Sequence, residues 1–259
     1  MKNVNSQEIY PGKENISKEY LLPLLEKNGI VVINGFLDEN QLKNLRAEFE
    51  KILSSPENSF IKPFPYSEGK GCVVKREKID PAVLPETQKI FSSEFMQTIA
   101  KGYLKGEFPL NNEIYVVKDV VGSKHHANDL HFDVSRAFKF FIYLKDTDAS
   151  NGAFACVPGS HHKAQDIRKK YGASISYENR ELSRELPYTE KDAVSIDGPA
   201  GTLIIFDTDV FHRAGTVSSG ERWVMRGHSR LKENIVPMTK PSENKPGLLQ
   251  RIKRKLTGK

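Results

Sequence analysis

The second half of this chain is written as short apolar or alternating runs separated by turn residues, and that punctuation limits the fold more than any other feature. EIYVVKDVV, DLHFDV, AFKFFIYL, GAFACVPG, GTLIIFDTDVF and RWVMRGHSR follow one another from residue 112 onward. Such runs, rich in β-branched and aromatic residues, fit strands better than helices, and their density predicts a β-sandwich or barrel. Asn151–Gly152 and Pro158–Gly159 between them read as turn formers, because NG and PG supply the backbone conformations that hairpins and loops need. They are assigned no chemistry.

The first half carries different signals. GIVVINGFL at 29–37 reads as a strand, and Asp38 with Gln41 three residues on is a capping-box-like helix start. Leu42, Leu45, Phe49 and Ile52 recur at helical spacing, which predicts a helix laid with its apolar face on the sheet. Residues 54–81, rich in Pro, Gly and Ser, are expected to form loops near a site mouth. Residues 161–193 are polar and charged, an expected insertion with helical pieces and a candidate lid or substrate-recognition segment. One domain is expected over 1–235, with a strand and helix region at 1–110 and a β core at 111–235. Residues 236–259 read as a linker, PMTKPSENKP, and a basic amphipathic tail with Leu248, Leu249, Ile252 and Leu256 on one helical side.

Composition excludes several classes. The net charge of +6 is concentrated in LLQRIKRKLTGK, and no basic stripe with aromatic platforms crosses the body, so no nucleic-acid partner is expected. Only Cys72 and Cys156 are present, far apart and outside any Cys/His cluster, which argues against a disulfide framework or a structural zinc. The start has no apolar run and no stretch is long enough to span a bilayer, so the cytoplasm is the expected location. The tail at 247–259 is the candidate for peripheral docking on an anionic membrane surface or a protein.

His131 and Asp133 lie two apart in a predicted strand, so both side chains leave the same face and can bind one ion. His212, just after the run TLIIFDTDVF, is placed to supply a third ligand from a second strand end. Two imidazoles and a carboxylate on one face of an octahedron leave three positions for a bidentate cosubstrate and dioxygen, which suits Fe(II). The bland reading makes them strand-end histidines and a turn carboxylate satisfied by hydrogen bonds. His125, His126, His161, His162 and His228 are read as non-ligands.

The text around the trio resembles the phytanoyl-CoA dioxygenase-like family of Fe(II)/2-oxoglutarate oxygenases. LHFDV, YLKDTDASNGAFACVPGSHH and GTLIIFDTDVFHRAG carry the likeness, with GIVVINGFLDENQLKNL extending it toward the N-terminus. The resemblance implies a mainly β protein with flanking helices, built on a double-stranded β-helix (a jelly-roll, cupin-like core). It implies a dioxygenase with Fe(II) as cofactor, O2 and the cosubstrate 2-oxoglutarate, releasing succinate and CO2. Its ligands would be His131, Asp133 and His212, and its carboxylate anchor Arg222. A guanidinium can grip a carboxylate bidentately, and Arg226, on the same predicted strand face, is the competing anchor. The resemblance also places Phe141 in the cosubstrate pocket. Lys139 shares a predicted face with Phe141 and Tyr143, where it either helps neutralise a carboxylate in the site or points out to solvent. Halogenases of this kind carry a small residue at the position of Asp133, so a carboxylate there favours hydroxylation of an unactivated C–H in a small or carrier-bound organic substrate. The alternatives are a cupin-like metal enzyme that does not use 2-oxoglutarate and a non-catalytic binding module on the same fold.

Overall fold

The computed structural model describes residues 6–54, 61–63, 68–105, 110–123, 128–171 and 187–230. The linker and basic tail, His125, His126 and the middle of the 161–193 excursion lie outside the described residues. Among the described residues, no helix is long and apolar enough to cross a membrane.

The elements run α1 (Lys18–Asn28), β1 (Ile30–Ile33), α2 (Glu39–Ser54), β2 (Ile61–Pro63), β3 (Lys70–Lys75), α3 (Pro85–Phe91), α4 (Glu94–Leu104) and β4 (Leu110–Val120). They continue with β5 (Ala137–Tyr143), β6 (Phe154–Val157), α5 (His161–Tyr171), β7 (Val194–Ile196), β8 (Leu203–Asp207), β9 (Phe211–Arg213) and β10 (Glu221–Arg230). Seven strands form a major sheet in the order β1-β8-β5-β10-β4-β3-β2, and three form a minor sheet, β7-β6-β9. Neighbouring strands in both sheets pair antiparallel. This is the mainly β jelly-roll core with flanking helices that the sequence led one to expect.

Local chemistry explains the helices. α1 stops at Gly29, whose φ of 70° suits glycine and whose N–H donates to the carbonyl of Leu25 at 2.7 Å. A Cβ at that position would also meet Val210 at 2.3 Å. α2 begins with the reciprocal cap read from the sequence: Gln41 N–H donates to Asp38 Oδ1 at 2.8 Å, and Asp38 N–H donates to Gln41 Oε1 at 3.1 Å. Its residues Leu45, Phe49 and Ile52 are buried, and Phe49 stacks on Trp223 of β10 at 4.8 Å.

The major sheet therefore has two unlike faces. Phe138, Phe140 and Ile142 of β5 join Leu203, Ile205, Trp223 and Met225 beneath the helices in one apolar cluster. Burying each such side chain contributes about 1.5–3 kcal/mol. Tyr143, Ile204, Phe206 and Val224 turn the other way, into the space facing the minor sheet, with Phe154, Cys156 and Ile196. The candidate site lies on that inner side.

Candidate metal centre

The segment at 131–134 joins the minor sheet through a single antiparallel bridge between His131 and His212. His131 N–H donates to the carbonyl of His212 at 3.0 Å, and His212 N–H returns a bond to the carbonyl of His131 at 2.7 Å. Asp133 N–H donates to the carbonyl of Thr208 at 3.0 Å. Backbone pairing thus brings a distant imidazole to the His131/Asp133 pair. The three side chains each offer a ligand atom, all within 4.8 Å of one another, and they are the only such group among the described residues.

The donor set fits an ion. The ring Nδ1 of His131 lies 2.7 Å from the carbonyl of Asp129, and that of His212 lies 2.7 Å from the carbonyl of Val210. A carbonyl only accepts, so each Nδ1 carries the proton and each Nε2 keeps its lone pair. Those Nε2 atoms lie 3.5 and 3.6 Å from Asp133 Oδ1. Burial, and then the charge His131 can carry, push the His212 imidazole down to about 3, so the ring is neutral and ready to coordinate. Burial works to raise Asp133, but the Lys139 ammonium beside it outweighs burial and holds the carboxyl well below the usual carboxylate range.

Lys139 is 8% exposed and turns inward, with its Nζ 2.7 Å from Asp133 Oδ2. The carboxylate it touches is therefore Asp133 itself, leaving Oδ1 toward the imidazoles. Phe141 is half-buried and meets Phe154 and Phe206 edge-on at 5.9 and 5.2 Å. Phe154 and Phe206 flank the His212 ring at 5.6 and 5.2 Å, so an aromatic wall backs the imidazole.

The two arginines differ in depth. Arg222 is 7% exposed; its Nε and Nη2 donate to Asp119 Oδ2 at 2.9 and 2.6 Å, and its Nη1 donates to the carbonyl of Gly152. Asp119 is directly opposite it on β4. Arg226, opposite Phe141 on β5, is half-exposed, with its guanidinium 4.8 Å from the Tyr115 ring and 5.6 Å from the Phe141 ring.

Of the other histidines, His161 is buried with Nε2 3.1 Å from the carbonyl of Glu26, the His162 ring lies tilted against it at 3.9 Å, and His228 stacks on Tyr115 at 4.9 Å. Sequence reasoning missed Asp119, Phe154, Phe206 and Arg168. Phe154 and Phe206 do carry a signal, since each sits in an apolar run beside a motif residue, but nothing local distinguishes a wall from a core.

The family model for phytanoyl-CoA dioxygenase (PhyH) matches residues 25–224. No protein of curated function matches by sequence. Among solved structures, the chain is similar to the epimerase SnoN in complex with Fe3+, alpha ketoglutarate and nogalamycin RO, with TM-score 0.61 and 17% identity over 82% of this chain and 83% of that one. It is similar to the alpha ketoglutarate-dependent carbocyclase SnoK from nogalamycin biosynthesis, with TM-score 0.60 and 17% identity over 84% and 85%. HygX from Streptomyces hygroscopicus, with nickel, 2-oxoglutarate and hygromycin B bound, gives TM-score 0.55 and 14% identity over 83% and 88%. At these identities the likeness is one of fold.

Proposed function

The chain belongs to the phytanoyl-CoA dioxygenase (PhyH) family, and from that premise we propose that it is an Fe(II)- and 2-oxoglutarate-dependent dioxygenase hydroxylating an unactivated C–H of a small organic substrate. The observation that carries the reading is the convergence of His131, Asp133 and His212, with the two imidazole Nε2 atoms 3.5 and 3.6 Å from one carboxylate oxygen and all three ligand atoms within 4.8 Å of one another. These three side chains would hold the iron. Bound there, Fe(II) would supply activation of O2 coupled to decarboxylation of 2-oxoglutarate, giving succinate, CO2 and a hydroxylated product.

The chain's own groups divide the remaining work. Lys139 keeps Asp133 ionised and holds Oδ2, so that Oδ1 would be left to bind the metal. Phe141, Phe154 and Phe206 exclude water on the His212 side. Arg222 is assigned the far carboxylate of 2-oxoglutarate. Its contacts with Asp119 and Gly152 use three of five N–H donors, so among the described residues an edge remains for a second carboxylate. A second reading gives that role to Arg226, favoured by its half-buried side chain with the guanidinium over Phe141 and Tyr115.

The test is O2-dependent conversion of 2-oxoglutarate to succinate with Fe(II), abolished in His131→Ala and Asp133→Ala. A metal-replete protein that neither binds nor consumes 2-oxoglutarate with any substrate would overturn the reading. Product mass then separates outcomes: gain of one oxygen atom is hydroxylation, loss of two hydrogens is ring closure or desaturation, and an unchanged mass is epimerisation.

A further inference from the structure

The segment that carries His131 and Asp133 is gripped through its backbone carbonyls by Arg168. Phe132, between His131 and Asp133, packs away from the ligand cluster. It is fully buried with Phe211, Val157 and Ala164, and the guanidinium of Arg168 lies 5.2 Å from its ring centroid. Arg168 belongs to α5 and is 7% exposed. Its Nε donates to Asp209 Oδ1 at 2.7 Å, its Nη1 to the carbonyl of Val134 at 2.8 Å, and its Nη2 to the carbonyl of Asp133. Asp209, itself 0% exposed, lies between β8 and β9 in the turn that delivers His212.

One guanidinium thus bridges both polypeptide stretches that supply ligands. The peptide groups flanking the Asp133 side chain are fixed on both sides: the N–H by the carbonyl of Thr208, the carbonyl by Arg168. Three acceptors at fork angles suit arginine, whereas a lysine ammonium is a point donor that cannot span them. The sequence also places Arg168 at the start of the 161–193 excursion rather than in the β core.

We propose that Arg168 is a positioning residue for the metal centre: it sets the angle at which Asp133 presents its oxygen, and makes ion affinity depend on the docking of α5. The inference rests on the iron site proposed above. It assigns α5 a part in metal binding, so that helix and the ion would form one mechanical unit.

The test uses the full chain with Co(II) as the probe, read by calorimetric titration and by the visible ligand-field spectrum. Arg168→Lys is expected to weaken Co(II) binding by about 10–100-fold, as loss of a group that orients a ligand does, and to shift the spectrum while far-UV circular dichroism is unchanged. Asp209→Asn, which keeps Arg168 but removes its carboxylate partner, should move both readings the same way by less. Two folded variants that bind Co(II) within about two-fold of wild type with an unaltered spectrum would overturn the proposal. If Arg168→Lys does not fold, Asp209→Asn decides on the same two readings. The premise has its own control: a wild-type chain with no Co(II) site that His212→Ala removes sinks the iron site, and this inference with it.

Discussion

The two faces of β5 are made from one seven-residue strand, AFKFFIY, and they do opposite things. Outward, Phe138, Phe140 and Ile142 are fully buried under helices and contribute packing alone. Inward, Lys139 and Phe141 meet a carboxylate, an aromatic wall and an arginine, and Phe141 stays half-exposed. Burial is similar on both faces at Lys139 and Phe140, so burial alone does not separate scaffold from site. What separates them is the partner: apolar atoms on one side, charge held by charge on the other.

The contrast can be broken experimentally, beginning with the largest effect. His212→Ala should abolish turnover and weaken metal binding by more than about 1000-fold, since one of three ligands is lost, while the apo-protein melts near wild type. Anaerobic Fe(II) titration measures it, and retained tight binding would remove the inner face from the chemistry. On the outer face, Phe140→Ala should cost about 3–5 kcal/mol in urea unfolding and leave Fe(II) affinity of the folded fraction unchanged.

Arg222→Lys sharpens the comparison within the inner face. It keeps a cation beside Asp119 but loses the second edge of the guanidinium, so the KM for 2-oxoglutarate should rise by about 10–100-fold with metal binding intact. If Arg226→Lys produces that rise and Arg222→Lys does not, the anchor is Arg226. The smallest effect is acid sensitivity at a buried histidine away from the trio. Burial, then His162, push His161 down to about 4 from the ordinary 6.5. Between those values the unfolded chain binds a proton that the fold refuses, so stability falls as pH falls. The slope is about 1 kcal/mol per pH unit between roughly pH 6 and 4.5; His161→Gln should lose it, and a variant whose stability falls in parallel with wild type over that window would remove the attribution.

Much of this was legible along the chain. Asp38 and Gln41 cap α2 as their spacing predicts, because a capping box is closed within four residues. Leu45, Phe49 and Ile52 face the sheet because helical periodicity is local; His131 and Asp133 do come together as their spacing suggested, although the expected strand is a single bridge at His131. Lys139 sat on a face the sequence could describe but not orient.

Only the tertiary structure decided the rest. That His212 meets the 131/133 pair depends on one antiparallel bridge, that Lys139 reaches Asp133 depends on the β5 face turning inward, and that Asp119 holds Arg222 depends on the β4–β10 register. Arg168 could not be found from its neighbours in sequence, since its acceptors lie in two other segments. The physical reason is common to all four. Side-chain direction repeats within a strand and can be read in place, whereas the pairing of strands is settled by long-range hydrogen bonds and by which face the whole molecule buries.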